Sequence, residues 1–115
     1  MKKIATLLCL FVVTISTAQQ VKPTYEAAGD LVKATYYYKD GSIKEQGFFK
    51  DKKLTGKWVS YSIQGKKTMI AYYNKGRKVG KWYAMSGVSI QEISYQNNAI
   101  VAVKKINEEA ALVLN

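Results

Sequence analysis

The amino-acid sequence predicts an all-β protein, a single-sheet antiparallel meander of repeated β-hairpins with about seven short strands. Three observations lead there. First, a block of the chain recurs: "GFFKDKKLTGKWVSYS" (47–62) and "AYYNKGRKVGKWYAMS" (71–86) lie 24 positions apart, so that Phe48 meets Tyr72, Phe49 meets Tyr73, Gly56 meets Gly80 and Trp58 meets Trp82. Second, the runs "ATYYY", "KWVSYSI", "TMIAYY", "KWYAM" and "QEISY" have the β-branched and aromatic composition of strands. Third, these runs are separated by Asp40-Gly41, Gln64-Gly65, Lys75-Gly76, Ser86-Gly87 and Asn97-Asn98. Such pairs tolerate the positive φ of tight hairpins. No interval is long enough for a crossover helix.

Taken in chain order, the first element is an address. Lys2 and Lys3 precede a mostly apolar run from Ile4 to Ile15 and then Ser16-Thr17-Ala18, the layout of a secretory signal peptide cut after Ala18. The run is too short to span a bilayer, which needs about 20 residues. The expected localisation is therefore secreted, periplasmic or extracellular, with residues 1–18 removed. The remaining 97 residues (115 − 18) make one domain, and the loss of two lysines lowers the formal net charge from +10 to +8. Cys9, the only cysteine, leaves with the signal, and the chain has no histidine. Disulfides, thiol catalysis, ordinary zinc sites and Ser-His or Cys-His machinery are thereby excluded from the processed chain.

Residues 19–33, with the single proline Pro23, read as an extended leader, and residues 34–106 as the repeat domain. Within that domain a third copy of the unit follows a two-residue deletion: "SGVSIQEISYQNN" (86–98) lies under "QGKKTMIAYYNKG" (64–76), and Tyr95 meets Tyr73. Residues 107–115 read as a tail or a short capping helix with Asn107 as N-cap. Units of an aromatic pair, a basic turn, Gly-Lys-Trp and a tyrosine strand resemble MORN repeats of the variant subgroup found in bacterial proteins. "FFKDKKLTGKWVSYSIQGK" and "YYNKGRKVGKWYAMSG" carry the likeness best, with "YYYKDGSIKEQG" and "ISYQNNAIVAV" as half-matches. The resemblance implies a MORN-like sheet of hairpins, and some members of the subgroup are labelled YwqK-type antitoxins.

Gly56 and Gly80 are expected to be architectural, permitting a bulge or letting a neighbouring ring lie over the backbone. Strand alternation places Tyr37, Tyr61 and Met85 on one face with Thr35, Val59 and Tyr83, and Trp58 and Trp82 on the other. Phe49, Tyr73 and Tyr95 should form one ladder and the tryptophans another. Two readings stand for these rings: cross-strand packing in place of a second layer, or a binding face made of Tyr37, Tyr61, Tyr83, Trp58, Trp82 and Tyr73. Lys53, Lys57, Arg77, Lys78 and Lys81 similarly either solvate an open sheet or form a basic stripe for an anionic membrane or glycan surface. With one arginine in the chain, nucleic acid is not an expected partner.

The carboxylates of the processed chain are scattered, none recurring at equivalent repeat positions as an acid/base pair, and no glycine-rich phosphate loop leads into a helix. No enzyme activity, cofactor or metal is expected. The expectation is a secreted binding or scaffold module of the cell envelope with a protein partner. Adhesion to anionic lipid or glycan and inhibition of a toxin are the alternatives, and an open sheet invites weak homodimerisation.

Overall fold

Consecutive hairpins build the whole sheet. In the computed structural model, which describes residues 21–107, the strands are β1 (Thr24–Ala28), β2 (Leu31–Tyr37), β3 (Ile43–Lys50), β4 (Lys53–Tyr61), β5 (Lys67–Asn74), β6 (Arg77–Lys78), β7 (Gly80–Ser86), β8 (Ser89–Gln96) and β9 (Ala99–Ile106). They form one antiparallel sheet in the order β1-β2-β3-β4-β5-β7-β8-β9, with β6 also paired to β5. The fold class is the predicted one, with nine strands in place of about seven. The predicted signal peptide and residues 108–115 lie outside the described residues.

The two additional strands have separate causes. Part of the expected leader is β1, which pairs with β2 through a two-residue turn at Gly29-Asp30, where Gly29 takes a φ of 65°. Pro23 stands immediately before that strand, where its missing N–H interrupts no ladder. The short β6 is the opening of the second unit's counterpart to β4. The pairs Phe49↔Leu54 and Gln46↔Val59 recur 24 positions on as Tyr73↔Lys78 and Ile70↔Tyr83.

Gly-Lys-Trp makes the same irregularity in both units. Between Phe48↔Thr55 and Gln46↔Val59, three residues, Gly56, Lys57 and Trp58, stand opposite Gly47 alone. In the second unit the Val79 N–H donates to the Tyr72 carbonyl at 3.0 Å, so that Gly80, Lys81 and Trp82 stand opposite Ala71. The triplet is thus a large β-bulge. Its glycine supplies left-handed backbone, with φ of 65° at Gly56 and 71° at Gly80. Of the two sequence-based explanations for these glycines the bulge holds, because no ring lies on either position.

The opposite sheet end also repeats. The Tyr38–Ser42 turn closes with Tyr38 N–H donating to the Ser42 carbonyl at 2.8 Å, and Ser62 N–H does the same to Lys66 at 2.7 Å. Between β7 and β8 the loop shrinks to Gly87-Val88, since Ser86 pairs directly with Ser89. The two-residue deletion of the third copy is this shortened turn. The third unit also lacks the triplet bulge: β8 and β9 slip by one residue, at Val101, between Ser94↔Ala102 and Tyr95↔Ile100.

A one-layer sheet must build its core on its own surface. One row crosses the sheet as Tyr25, Ala34, Gly47, Trp58, Ala71, Trp82, Ile93 and Val103, so each indole stands beside small residues. Both tryptophans are only 6% exposed, clustered with Ala34 and Ala71 under Tyr36, Phe49, Leu54, Met69, Tyr73, Ile93 and Tyr95. The small neighbours leave a depression into which a flat indole fits. A methyl group on Gly47 would overlap the Trp58 ring.

Candidate interaction surfaces

The face that carries the tryptophans is a continuous aromatic ladder. Ring centroids step from Phe49 to Trp58 (5.3 Å), Trp58 to Tyr73 (6.3 Å), Tyr73 to Trp82 (5.1 Å) and Trp82 to Tyr95 (4.8 Å). Tyr25 and Tyr36 extend it towards β1, with Tyr36 6.3 Å from Trp58. The two ladders expected from sequence therefore interleave into one, because the bulge swings each indole back over its hairpin. Trp58 Nε1 donates to the Phe48 carbonyl at 3.1 Å, and 24 residues later Trp82 Nε1 donates to Tyr72 at 3.0 Å and to Val79 at 3.2 Å. Mostly edge-on pairs at these spacings are worth about 0.5 to 1.5 kcal/mol each beyond burial. Trp58 and Trp82 are consequently packing residues, with Tyr73 half-buried against them, and the predicted binding face loses its tryptophans to the core.

The other predicted face residues, Tyr37, Tyr61 and Tyr83, are half-buried on the opposite surface, as alternation required. The Tyr37 hydroxyl lies 2.8 Å from Thr24 Oγ1 and ties β1 to β2. The carbonyl of Tyr61 accepts the Tyr38 hydroxyl at 2.7 Å, fastening the first turn of that sheet end to β4. Tyr83 shares a cross-strand row with Ile70, which is 2% exposed, and with Glu92. Burial, with the Glu92 carboxylate beside it, pushes the Tyr83 phenol above its ordinary pKa. Burial and the Tyr25 hydroxyl push Tyr36 to about 12. Burial, then the charge of Glu45 and its neighbour Tyr95, raises Tyr73. These phenols stay protonated at physiological pH and act as rings and hydrogen-bond donors.

Glu92 was missed at the sequence level. Its side chain is 10% exposed and is reached by Lys81 Nζ at 3.7 Å from β7 and Lys104 Nζ at 3.5 Å from β9. A buried carboxylate needs such partners. The signal for it lay in strand alternation, which puts Glu92 in one row with Val59, Ile70 and Tyr83.

The predicted basic stripe is divided among three places. Lys53 lines a recess of about 500 Å³ with Lys50, Asp51, Thr55, Asn74 and Lys75. Arg77 joins Lys53, Lys75 and Asn97 around an adjoining recess of about 320 Å³. Both recesses lie at the sheet end formed by the Asp51-Lys52, Lys75-Gly76 and Asn97-Asn98 turns, each with two consecutive positive φ values. Lys78 instead folds over the ladder, its Nζ 5.1 Å from the Trp82 ring and 5.3 Å from that of Tyr95. Its backbone N–H donates to Asn98 Oδ1 at 2.8 Å while the Asn98 N–H donates to the Lys78 carbonyl at 3.0 Å. Lys57 and Lys81 project from the tyrosine face, where Lys81 serves Glu92. Charge in the recess is partly offset, since Asp51 lines it and Lys50 pairs with Asp30 at 3.4 Å.

No family model, curated protein or solved structure matches the chain. The described residues present a tryptophan face turned inward on itself, a tyrosine face, a cationic sheet end and two sheet edges.

Proposed function

We propose that the chain is a secreted, non-enzymatic interaction module of the bacterial cell envelope, built from about three MORN-like hairpin units, and that it holds a protein partner on its tyrosine face. The supporting observation is the division of labour between the two surfaces. The tryptophan ladder provides the packing that a second layer would otherwise supply. Tyr37, Tyr61, Tyr72 and Tyr83 remain half-buried on the other surface, with exposed Ile43 at its margin. Half-buried tyrosines held by backbone and hydroxyl contacts offer rigid contact area at small entropic cost.

The test is affinity capture from the envelope fraction at physiological salt with the native chain and with a Tyr61→Ala, Tyr83→Ala variant whose near-ultraviolet circular dichroism matches the native spectrum. Loss of the captured partner is expected. Retention of every partner would overturn the tyrosine-face reading.

A second reading, adhesion to an anionic lipid or glycan surface, draws on the cationic recess around Lys53, Lys75 and Arg77. Flotation with anionic liposomes at low and high salt distinguishes it, because binding through exposed lysines weakens as salt rises.

A further inference from the structure

We propose that copies of this chain add to one another head to tail, the β9 edge of one copy pairing with the β1 edge of the next so that the sheet continues across the junction. This stands independently of the tyrosine face, because it uses the edges alone.

Four observations carry it. The described sheet ends on two strands that are exposed along nearly their whole length: every residue of β1, and all of β9 but Ile106. Tyr25 on one edge is 59% exposed, and Ile100, Val101 and Val103 on the other are 58%, 60% and 56% exposed. Proline-free edge strands that expose apolar residues in this way are templates for further pairing.

Direction is the second observation. Strands alternate along the path from β1 to β9, and the path has eight members, so a neighbouring copy placed beside it by simple translation presents β1 antiparallel to β9.

Length and face are the third. Beyond the bulge at Val101, β9 offers five regular residues, Ala102–Ile106, and β1 has five, Thr24–Ala28. Full antiparallel overlap sets Ala102 against Ala28, Val103 against Ala27, Lys104 against Glu26, Lys105 against Tyr25 and Ile106 against Thr24. Each of these pairs joins residues of the same face. Val103 and Tyr25 belong to the row that crosses the sheet through the tryptophans, and Lys104 and Glu26 to the opposite face.

Charge is the fourth. Within one chain Glu92 pairs with Lys104, and Glu26 pairs with Lys33. Across the junction the row reads Glu92, Lys104, Glu26, Lys33, alternating in sign, and opposite charges directly across a ladder stabilise it. The competing two-fold arrangement, β9 against β9, centres the same five residues on Lys104 and sets like charges face to face. The head-to-tail contact is heterologous and does not close, so it yields open chains of variable length.

Sedimentation velocity on the purified protein over a concentration series tests this. The native chain is expected to give a progression of oligomers that lengthens with concentration. Glu26→Lys, which spoils the β1 edge, and Val103→Asp, which spoils the β9 edge, are each expected to raise the dissociation constant about tenfold or more. Each variant should therefore sediment as a monomer where the native chain associates. Mixed in equal amounts, they retain one intact edge of each kind and should form a 1:1 heterodimer that grows no further. Near-ultraviolet circular dichroism from the tryptophans establishes that the variants are folded, and Val103→Lys replaces Val103→Asp if the latter is not. A native chain that stays monomeric throughout, a Glu26→Lys variant that dimerises alone, or a mixture that fails to pair would each overturn the proposal.

Discussion

Gly47 is the residue on which the tryptophan ladder rests, and it is not one of the glycines the repeated motif advertises. The Trp58 indole occupies the space that a side chain at Gly47 would need, whereas Gly56 meets nothing and is required for its φ of 65°. The two glycines fail differently. Gly47→Ala is expected to cost about 2 to 3 kcal/mol through overpacking and to displace Trp58. Gly56→Ala should cost about 1 to 2 kcal/mol through backbone strain with the ladder intact. Urea unfolding followed by tryptophan emission checks both, since Gly47→Ala alone should red-shift the folded-state spectrum. Equal costs with unshifted emission in both variants would contradict the assignment. The distinction was only half legible in sequence. Gly56 announces itself through its repeat at Gly80, but Gly47 faces Ala71 in the next unit, and only the lie of the indole separates them.

At the level of elements, the last strand is held by more than its ladder. Glu92 on β8 accepts Lys81 from β7 and Lys104 from β9, so one carboxylate joins three strands across the less aromatic end of the sheet. Replacing both lysines by methionine keeps the aliphatic stems and leaves the carboxylate buried beside Tyr83 without a cation. A destabilisation of roughly 1 to 3 kcal/mol is expected, less than for a fully buried pair because both ammonium groups are largely exposed. Thermal unfolding of the Lys81→Met, Lys104→Met variant measures it, and adding Glu92→Gln should restore much of the loss. No recovery in the triple variant would mean that the lysines act by some route other than this carboxylate. Hairpin positions were readable from turn residues, and so was the deletion that shortens the β7–β8 turn. The β1 strand was not, because "TYEAA" has weak strand composition and owes its structure to pairing with β2 and to the Thr24–Tyr37 contact.

For the whole molecule, an array in which each hairpin touches only its neighbours should lose structure from its ends inward. Trp58, Ala71 and Trp82 sit in the middle of the path, and the exposed β1 and β9 terminate it. Amide hydrogen exchange at concentrations low enough to keep the chain monomeric is expected to be slowest in β4, β5 and β7 and fastest in β1 and β9. Uniform protection across all strands would show a single cooperative unit instead. Raising the concentration into the range of self-association should then protect the two edge strands selectively.

Local chemistry dictated the period of 24, the hairpins and the side-chain alternation, because each depends on residues close together in the chain. Assembly in space settled which aromatics became core, where the lysines went and how Glu92 was neutralised. Those outcomes depend on the three-against-one bulge, which turns Gly-Lys-Trp from a strand segment into a latch. Alternation alone places Trp58 on a face; the bulge and the Phe48 carbonyl decide that its ring lies flat and hidden there.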